Sequence, residues 1–309
     1  MFVTLLAVVV ALALGHVAQP LAVAVRQFGW YRSWLGWLDT RFPDDGFWRG
    51  RWGIALALVP PLLVVGLFQL ALAGAVYGLP TLVFGVAVLF YAWGPRDLDQ
   101  DVDAIVEAPD AARRREAAAR LWPPRLGPEP SAAWPVDGPA AIGAVFRSAL
   151  RRWFGVLFWF LLLGPIGALL YRLAAISAEG EEAAQLPPDT ARGAGRLLAL
   201  LDWPVAQLAT LSLALVGNFD VVAAAWKANG GAGFTPEGDF LAAAGRASVR
   251  SELADEAEDY VESGILPPGA VVHELGPVPE LRDAMSLVWR ILLVWLAVMA
   301  LFVVAGWVG

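Results

Sequence analysis

Long apolar runs almost free of charge occupy residues 2–25, 52–93, 153–170 and 291–308. A helix needs about 20 predominantly apolar residues to cross the hydrocarbon core of a bilayer, so each run suits one crossing and the second suits two. Backbone polar groups in lipid must be satisfied within the segment, which makes the helix the expected element. A chain of 309 residues with 58% hydrophobic side chains and a mean hydropathy of +0.60 lacks the polar surface to enclose such runs as soluble cores. The sequence reads as an all-α integral membrane protein, one membrane domain over residues 1–309, with four spans plus one or two partly buried helices.

Composition removes several kinds of chemistry. The chain has no Cys, which excludes disulfides, thiolate nucleophiles and Cys-ligated metals. Its two histidines, His16 and His273, are too few for a site of several His ligands. Neither a metal nor a cofactor is expected. A formal net charge of −7 and the lack of a basic stripe argue against a nucleic-acid partner. No GxxxxGK[ST] phosphate loop occurs, Gly230, Gly231, Gly233 and Gly238 lack the spacing of a dinucleotide turn, and no Ser stands in a nucleophile elbow.

The first run is interrupted by His16, Gln19 and Pro20, and reads as an interfacial or incompletely spanning helix with a polar kink. Residues 26–51 mix Trp30, Trp34, Trp37 and Trp48 with Arg26, Arg32, Arg41, Arg49 and Arg51, the chemistry of an interfacial loop carrying a short helix along the membrane surface. Residues 53–76 and 80–93 form a predicted helical hairpin, kinked at Pro60 and Pro61. Residues 94–152 are an Arg- and Pro-rich extramembrane loop, helix-forming over 97–121 apart from Pro109, then a proline-rich linker. Residues 153–170 and 287–308 are spans. Residues 197–217, apolar except for Asp202 and Gln207, fit a span, a re-entrant piece or a buried interfacial helix. Residues 218–286 are an acidic extramembrane segment. Five basic residues in 26–51 and nine in 96–152, against none in the turn 77–79, place the two basic loops in the cytoplasm.

Residues 152–172, RWFGVLFWFLLLGPIGALLYR, with Leu201-Asp202-Trp203-Pro204, the stretch Ala214-Leu215-Val216-Gly217-Asn218-Phe219 and Gly94-Pro95-Arg96-Asp97-Leu98, resemble the AmpE family of inner-membrane proteins. That family is in turn similar to CobD/CbiB, membrane-bound cobinamide-phosphate synthases that join a corrinoid carboxylate to an aminoalcohol phosphate. The synthases carry acidic residues where this chain has Arg147, Ser148 and Arg151, and two arginines repel the magnesium that carboxylate activation requires. The resemblance thus implies a non-catalytic regulator in the bacterial inner membrane, multi-pass, linked to beta-lactamase induction and cell-wall recycling, with membrane lipids and a cytoplasmic amidase as partners. The alternatives are a residual membrane enzyme that uses a nucleotide and a small transporter.

The candidate ligand-binding residues are Arg147, Arg151, Tyr171, Arg172, Asp202 and Trp203. Arg172 reads as a snorkelling headgroup contact or, as the resemblance suggests, an anion clamp. Asp202 reads as the N-cap of a helix with Pro204 in its first turn, or as an ion-pair partner of Arg172 or Arg192. Arg147, Arg151 and Arg152 set topology or bind an anionic lipid or ligand. No catalytic residue is assigned.

Overall fold

The computed structural model describes residues 2–17, 24–42, 46–72, 78–94, 97–121, 138–236, 238–262 and 278–305, and among them every regular element is helical. In chain order these are α1 (Phe2–Val17), α2 (Gly29–Arg41), α3 (Ile54–Leu72), α4 (Leu79–Ala92), α5 (Leu98–Val106), α6 (Ala111–Ala118) and α7 (Pro139–Ala149). A π turn, Leu150–Phe154, leads from α7 into α8 (Gly155–Leu163). Then come α9 (Pro165–Glu179), α10 (Pro188–Val216), α11 (Phe219–Ala228), α12 (Phe240–Glu262) and α13 (Pro279–Val304).

Three of these, α3, α10 and α13, are long and apolar enough to cross a membrane. The expectation of four spans is therefore corrected. Residues 53–76 and 287–308 correspond to α3 and α13, but α4 has only 14 residues. Residues 153–170 are not one helix. At Gly164 the backbone turns with φ 72° and ψ −153°, a conformation open to glycine, and Pro165 starts α9 in the opposite direction. On this limb the apolar run covers only residues 153–163, about 16 Å at 1.5 Å per residue and short of the ~30 Å core, while the helix itself continues back through the π turn into α7. Residues 197–217 belong to the 29-residue α10, which runs through Pro204 just as α3 runs through Pro60 and Pro61.

Limbs α8 and α9 pack closely because both carry glycine at their contact. A Cβ on Gly155 would collide with the Tyr171 ring, and one on Gly167 with the Trp159 carbonyl. Gln69 of α3 clasps the turn of this hairpin. Its amide nitrogen donates to the Leu163 carbonyl at 3.1 Å and its oxygen accepts from the Ile166 N–H at 3.1 Å. Both groups are orphans of helix ends, and an apolar environment would leave them costly without such a partner.

The hairpin stands among α3, α4 and α10, and α9 is buried on nearly every face, from Pro165 to Ala178. A second, more polar group of helices, α5, α6, α7, α12 and the start of α13, packs beside it. Here local chemistry sets the boundaries. Asp97 caps α5 through the Asp99 N–H, and Asp110 caps α6 through the Arg113 N–H at 2.8 Å, with Pro109 in the break between them. The proline-rich linker around Pro123 to Pro135 lies outside the described residues. The aromatic and basic stretch 26–51 contributes to the core as well as to the surface: Tyr31, Leu35, Leu38 and Trp48 are buried while Trp30 and Trp37 are exposed. Tyr31 shares a 2.7 Å hydrogen bond with Ser177 of α9, fixing α2 to the hairpin.

Candidate functional site

A polar centre forms where the π turn meets α9 and α10. Arg172 and Glu179 lie about two turns apart along α9 and so share a side, with Tyr171 one residue before Arg172. The π turn supplies Arg151 and Arg152, and α10 supplies Asp202. Arg151 donates from Nε and Nη2 to the two oxygens of Glu179 at 3.0 and 2.9 Å, a bidentate fork, and is also ion-paired with Asp202. Tyr171 donates its hydroxyl hydrogen to Asp202 Oδ1 at 2.6 Å, and its oxygen lies 3.3 Å from the Leu150 carbonyl.

The π turn makes this meeting possible. Its i→i+5 pattern loosens the carbonyl ladder, so that Leu150 and Arg151 present carbonyl oxygens to Tyr171 and to Arg172 Nη2. One residue on, Arg152 turns away from α10. It donates to Asp101 Oδ2 at 2.6 Å and to the Arg120 carbonyl at 2.9 Å, tying the π turn to α5 and the end of α6.

Two more guanidiniums meet the C-terminal turn of α4. Arg172, 4% exposed, donates from Nε to the Ala92 carbonyl at 2.6 Å. Arg26, 8% exposed, donates to the Phe90 and Gly94 carbonyls, both at 2.9 Å, and lies 4.8 Å above the Phe90 ring. Burial lowers the Arg26 pKa to about 10, with the field of Asp97 opposing that shift. Among the described residues, no carboxylate is in ion-pair contact with Arg26 or Arg172.

Of the six candidate residues, Arg151, Tyr171, Arg172 and Asp202 come together. Arg147 does not: its Nε lies 3.4 Å from Asp239, on the approach to α12. Trp203 also points elsewhere, its ring against Phe234 at 5.0 Å and its buried indole N–H without a partner. Two readings are corrected. Asp202 is not an N-cap, because α10 begins at Pro188, more than three turns earlier, and the carboxylate is buried in an ionic network. Arg172 does not snorkel to headgroups, since helix carbonyls inside the bundle hold it. Glu179, Asp101 and Arg26, not among the candidates, complete the centre together with Arg152, which the sequence offered only as a topology-setting or anion-binding charge beside Arg151. Spacing on α9 could have flagged Glu179 from Arg172; nothing local links Arg26 or Asp101 to the rest.

A cleft of about 450 Å³ among α1, α8, α10 and α13 is lined by apolar side chains such as Leu5, Phe158, Leu211 and Val298, and lies apart from this chemistry. Among the described residues, no group of three or more His, Cys, Asp or Glu side chains is placed to hold a metal ion.

No model of a known protein family matches the chain, and no solved structure matches it. The chain is 29% identical over 266 residues to a Chromobacterium violaceum protein named cobalamin biosynthesis protein CobD, across 81% of this chain and 78% of that one. This supports a CobD-like relationship and a multi-pass membrane protein; the AmpE assignment does not follow from it. It overturns the reading as a non-catalytic regulator of beta-lactamase induction and cell-wall recycling, because the named relative is a biosynthesis protein. The physical reason is plain in the hairpin. The motif at 152–172 that carried the resemblance consists largely of packing and turn residues, Gly155, Gly164 and Gly167 among them, which specify a scaffold rather than an activity.

Proposed function

We propose that this chain is a CobD-like enzyme of corrinoid assembly in a bacterial inner membrane, acting on a phosphate-bearing small molecule at the polar centre. The observation that carries this reading is the likeness to a cobalamin biosynthesis protein over four fifths of the chain. Resemblance to the synthases implies formation of an amide between a corrinoid carboxylate and the amine of an aminoalcohol phosphate, with a nucleotide as co-reactant activating the carboxylate, whose oxygen leaves with the transferred phosphate. The polar centre supports such a role. Guanidiniums are suited to phosphate oxygens, and the network of Arg151, Glu179, Tyr171 and Asp202 holds its members in fixed positions. Glu179 and Asp202 are engaged by Arg151, and Asp101 by Arg152.

A CobD-deficient bacterium expressing this chain, assayed for the amide-linked corrinoid, tests the proposal. Restored product, lost again in Asp202→Asn protein that still reaches the membrane, is the expected result. Membranes rich in folded protein that form no amide, with nucleotide or without, would sink it.

A further inference from the structure

The charges around the C-terminal turn of α4 are unevenly answered. Arg151 faces two carboxylates and Arg152 faces one. Arg26 and Arg172, each more than nine-tenths buried, face the Phe90, Ala92 and Gly94 carbonyls instead, with Asp97 acting on Arg26 through its field but not in ion-pair contact. The stem of Arg152 packs against Gly94, and Arg172 lies within electrostatic reach of both Arg152 and Arg26. Carbonyls at a helix C-terminus carry about half an elementary charge in total, which is too little for two whole charges withdrawn from water. Arg26 Nη2, moreover, is a buried donor with no hydrogen-bond partner. Arg26 stands in a short segment in which its neighbours Val25 and Gln27 are exposed while its own guanidinium is turned inward.

We infer that Arg26 and Arg172 form a seat for one oxyanion of the phosphate class, separate from the ion-paired network on Arg151. The bound group supplies the negative charge that the α4 carbonyls lack and accepts from the unmet Nη2. Planar guanidiniums offer paired N–H groups to phosphate oxygens, which an ammonium does not. Arg26 and Arg172 belong to the polar centre at which a phosphate-bearing substrate is proposed above, so the seat deepens that reading, while phosphate binding and amide formation are measured separately.

Calorimetric titration of the purified full-length protein in detergent with inorganic phosphate, with chloride matched for ionic strength, is the test. One phosphate per chain and a phosphate-dependent rise in unfolding temperature are expected. Arg26→Gln weakens binding at least about tenfold, as loss of a charge-assisted contact does, and the exposed Arg113→Gln leaves it unchanged. Repeating the titration in phosphatidylcholine nanodiscs with and without phosphatidylglycerol separates two sources. Binding lost only in the phosphatidylglycerol discs assigns the seat to a lipid headgroup, and binding kept in both assigns it to a soluble phosphate. Absence of saturable phosphate binding in detergent overturns the inference, as does binding that neither Arg26→Gln nor Arg172→Lys weakens. Should these variants not fold, phenylglyoxal labelling of Arg26 in the unaltered protein decides: protection by phosphate supports the seat, and equal labelling overturns it.

Discussion

Tyr171 donates its phenolic hydrogen to Asp202 across the α9–α10 interface at 2.6 Å, with both side chains closed off from solvent. Removing only the hydroxyl, by Tyr171→Phe, deprives a buried carboxylate of a donor, worth about 1.5–3 kcal/mol for a bond to a charged group. Thermal unfolding in detergent, followed by tryptophan fluorescence, should show a lowered midpoint. An unchanged midpoint would mean that Arg151 alone satisfies Asp202.

Gln69 is expected to act as the clasp of the α8–α9 hairpin. Gln69→Leu orphans the Leu163 carbonyl and the Ile166 N–H, which lie at the edge of the bundle, at about 1–3 kcal/mol for each group left unmet in apolar surroundings. Hydrogen exchange at the Ile166 amide should accelerate, while exchange in α12, far along the chain, stays the same. Gln69→Glu keeps the acceptor for Ile166 and should give an intermediate effect.

The Arg152–Asp101 pair, with side chains 11% and 5% exposed, should behave as a buried ion pair. Breaking it from either side, by Arg152→Met or Asp101→Leu, strands a buried charge at about 3–5 kcal/mol. The double variant should cost much less than the sum of the singles. A strictly additive double-mutant cycle would show that the two charges are solvated separately.

Two glycines give a contrast in sterics. Gly155→Ala should destabilise by about 1–3 kcal/mol, because the new methyl meets the Tyr171 ring in a packed interface. Gly36→Ala in α2 meets nothing within 4 Å and should be neutral or stabilising by up to about 1 kcal/mol through helix propensity. Equal effects at both positions would argue that α8 and α9 are not in close contact.

How far the sequence could be read depended on whether a residue's partner was local. Hydropathy and run length located α3 and α13, and Pro109 between two acidic caps marked the α5–α6 break. The apolar run 153–170 was read as one span because a hairpin that turns inside an apolar environment needs no polar loop. Its sole markers are Gly164 and Pro165, and the side chain that stabilises the turn, Gln69, is far away in sequence. Asp202 followed by Trp203 and Pro204 imitates a helix start, and only the full course of α10 from Pro188 removes that reading. Asp202 was legible as a polar interruption of an apolar stretch, and Arg151, Tyr171 and Arg172 as polar residues at the two ends of the run 153–170. Asp101 and Arg26 were not, since each reaches the centre from a helix end or segment whose placement follows from tertiary packing.

The π turn at Leu150–Phe154 also bears on how this chain tolerates length changes. A π turn holds one residue more than an α turn of the same rise, and each residue in a helix advances the azimuth by about 100°. Deleting a single residue between Ala149 and Gly155 would relax the turn to regular α geometry and leave α8 near its present azimuth, because the π turn covers the arc of an α turn with one extra residue. Inside the turn, however, Arg151 and Arg152 would move off the directions in which they meet Glu179, Asp202 and Asp101. The surplus residue thus serves the polar centre and not the apolar tip. In a scan of single-residue deletions, those inside this turn should be better tolerated for expression than those within α8, where each lost residue swings the hairpin tip away from Gln69 by about 100°.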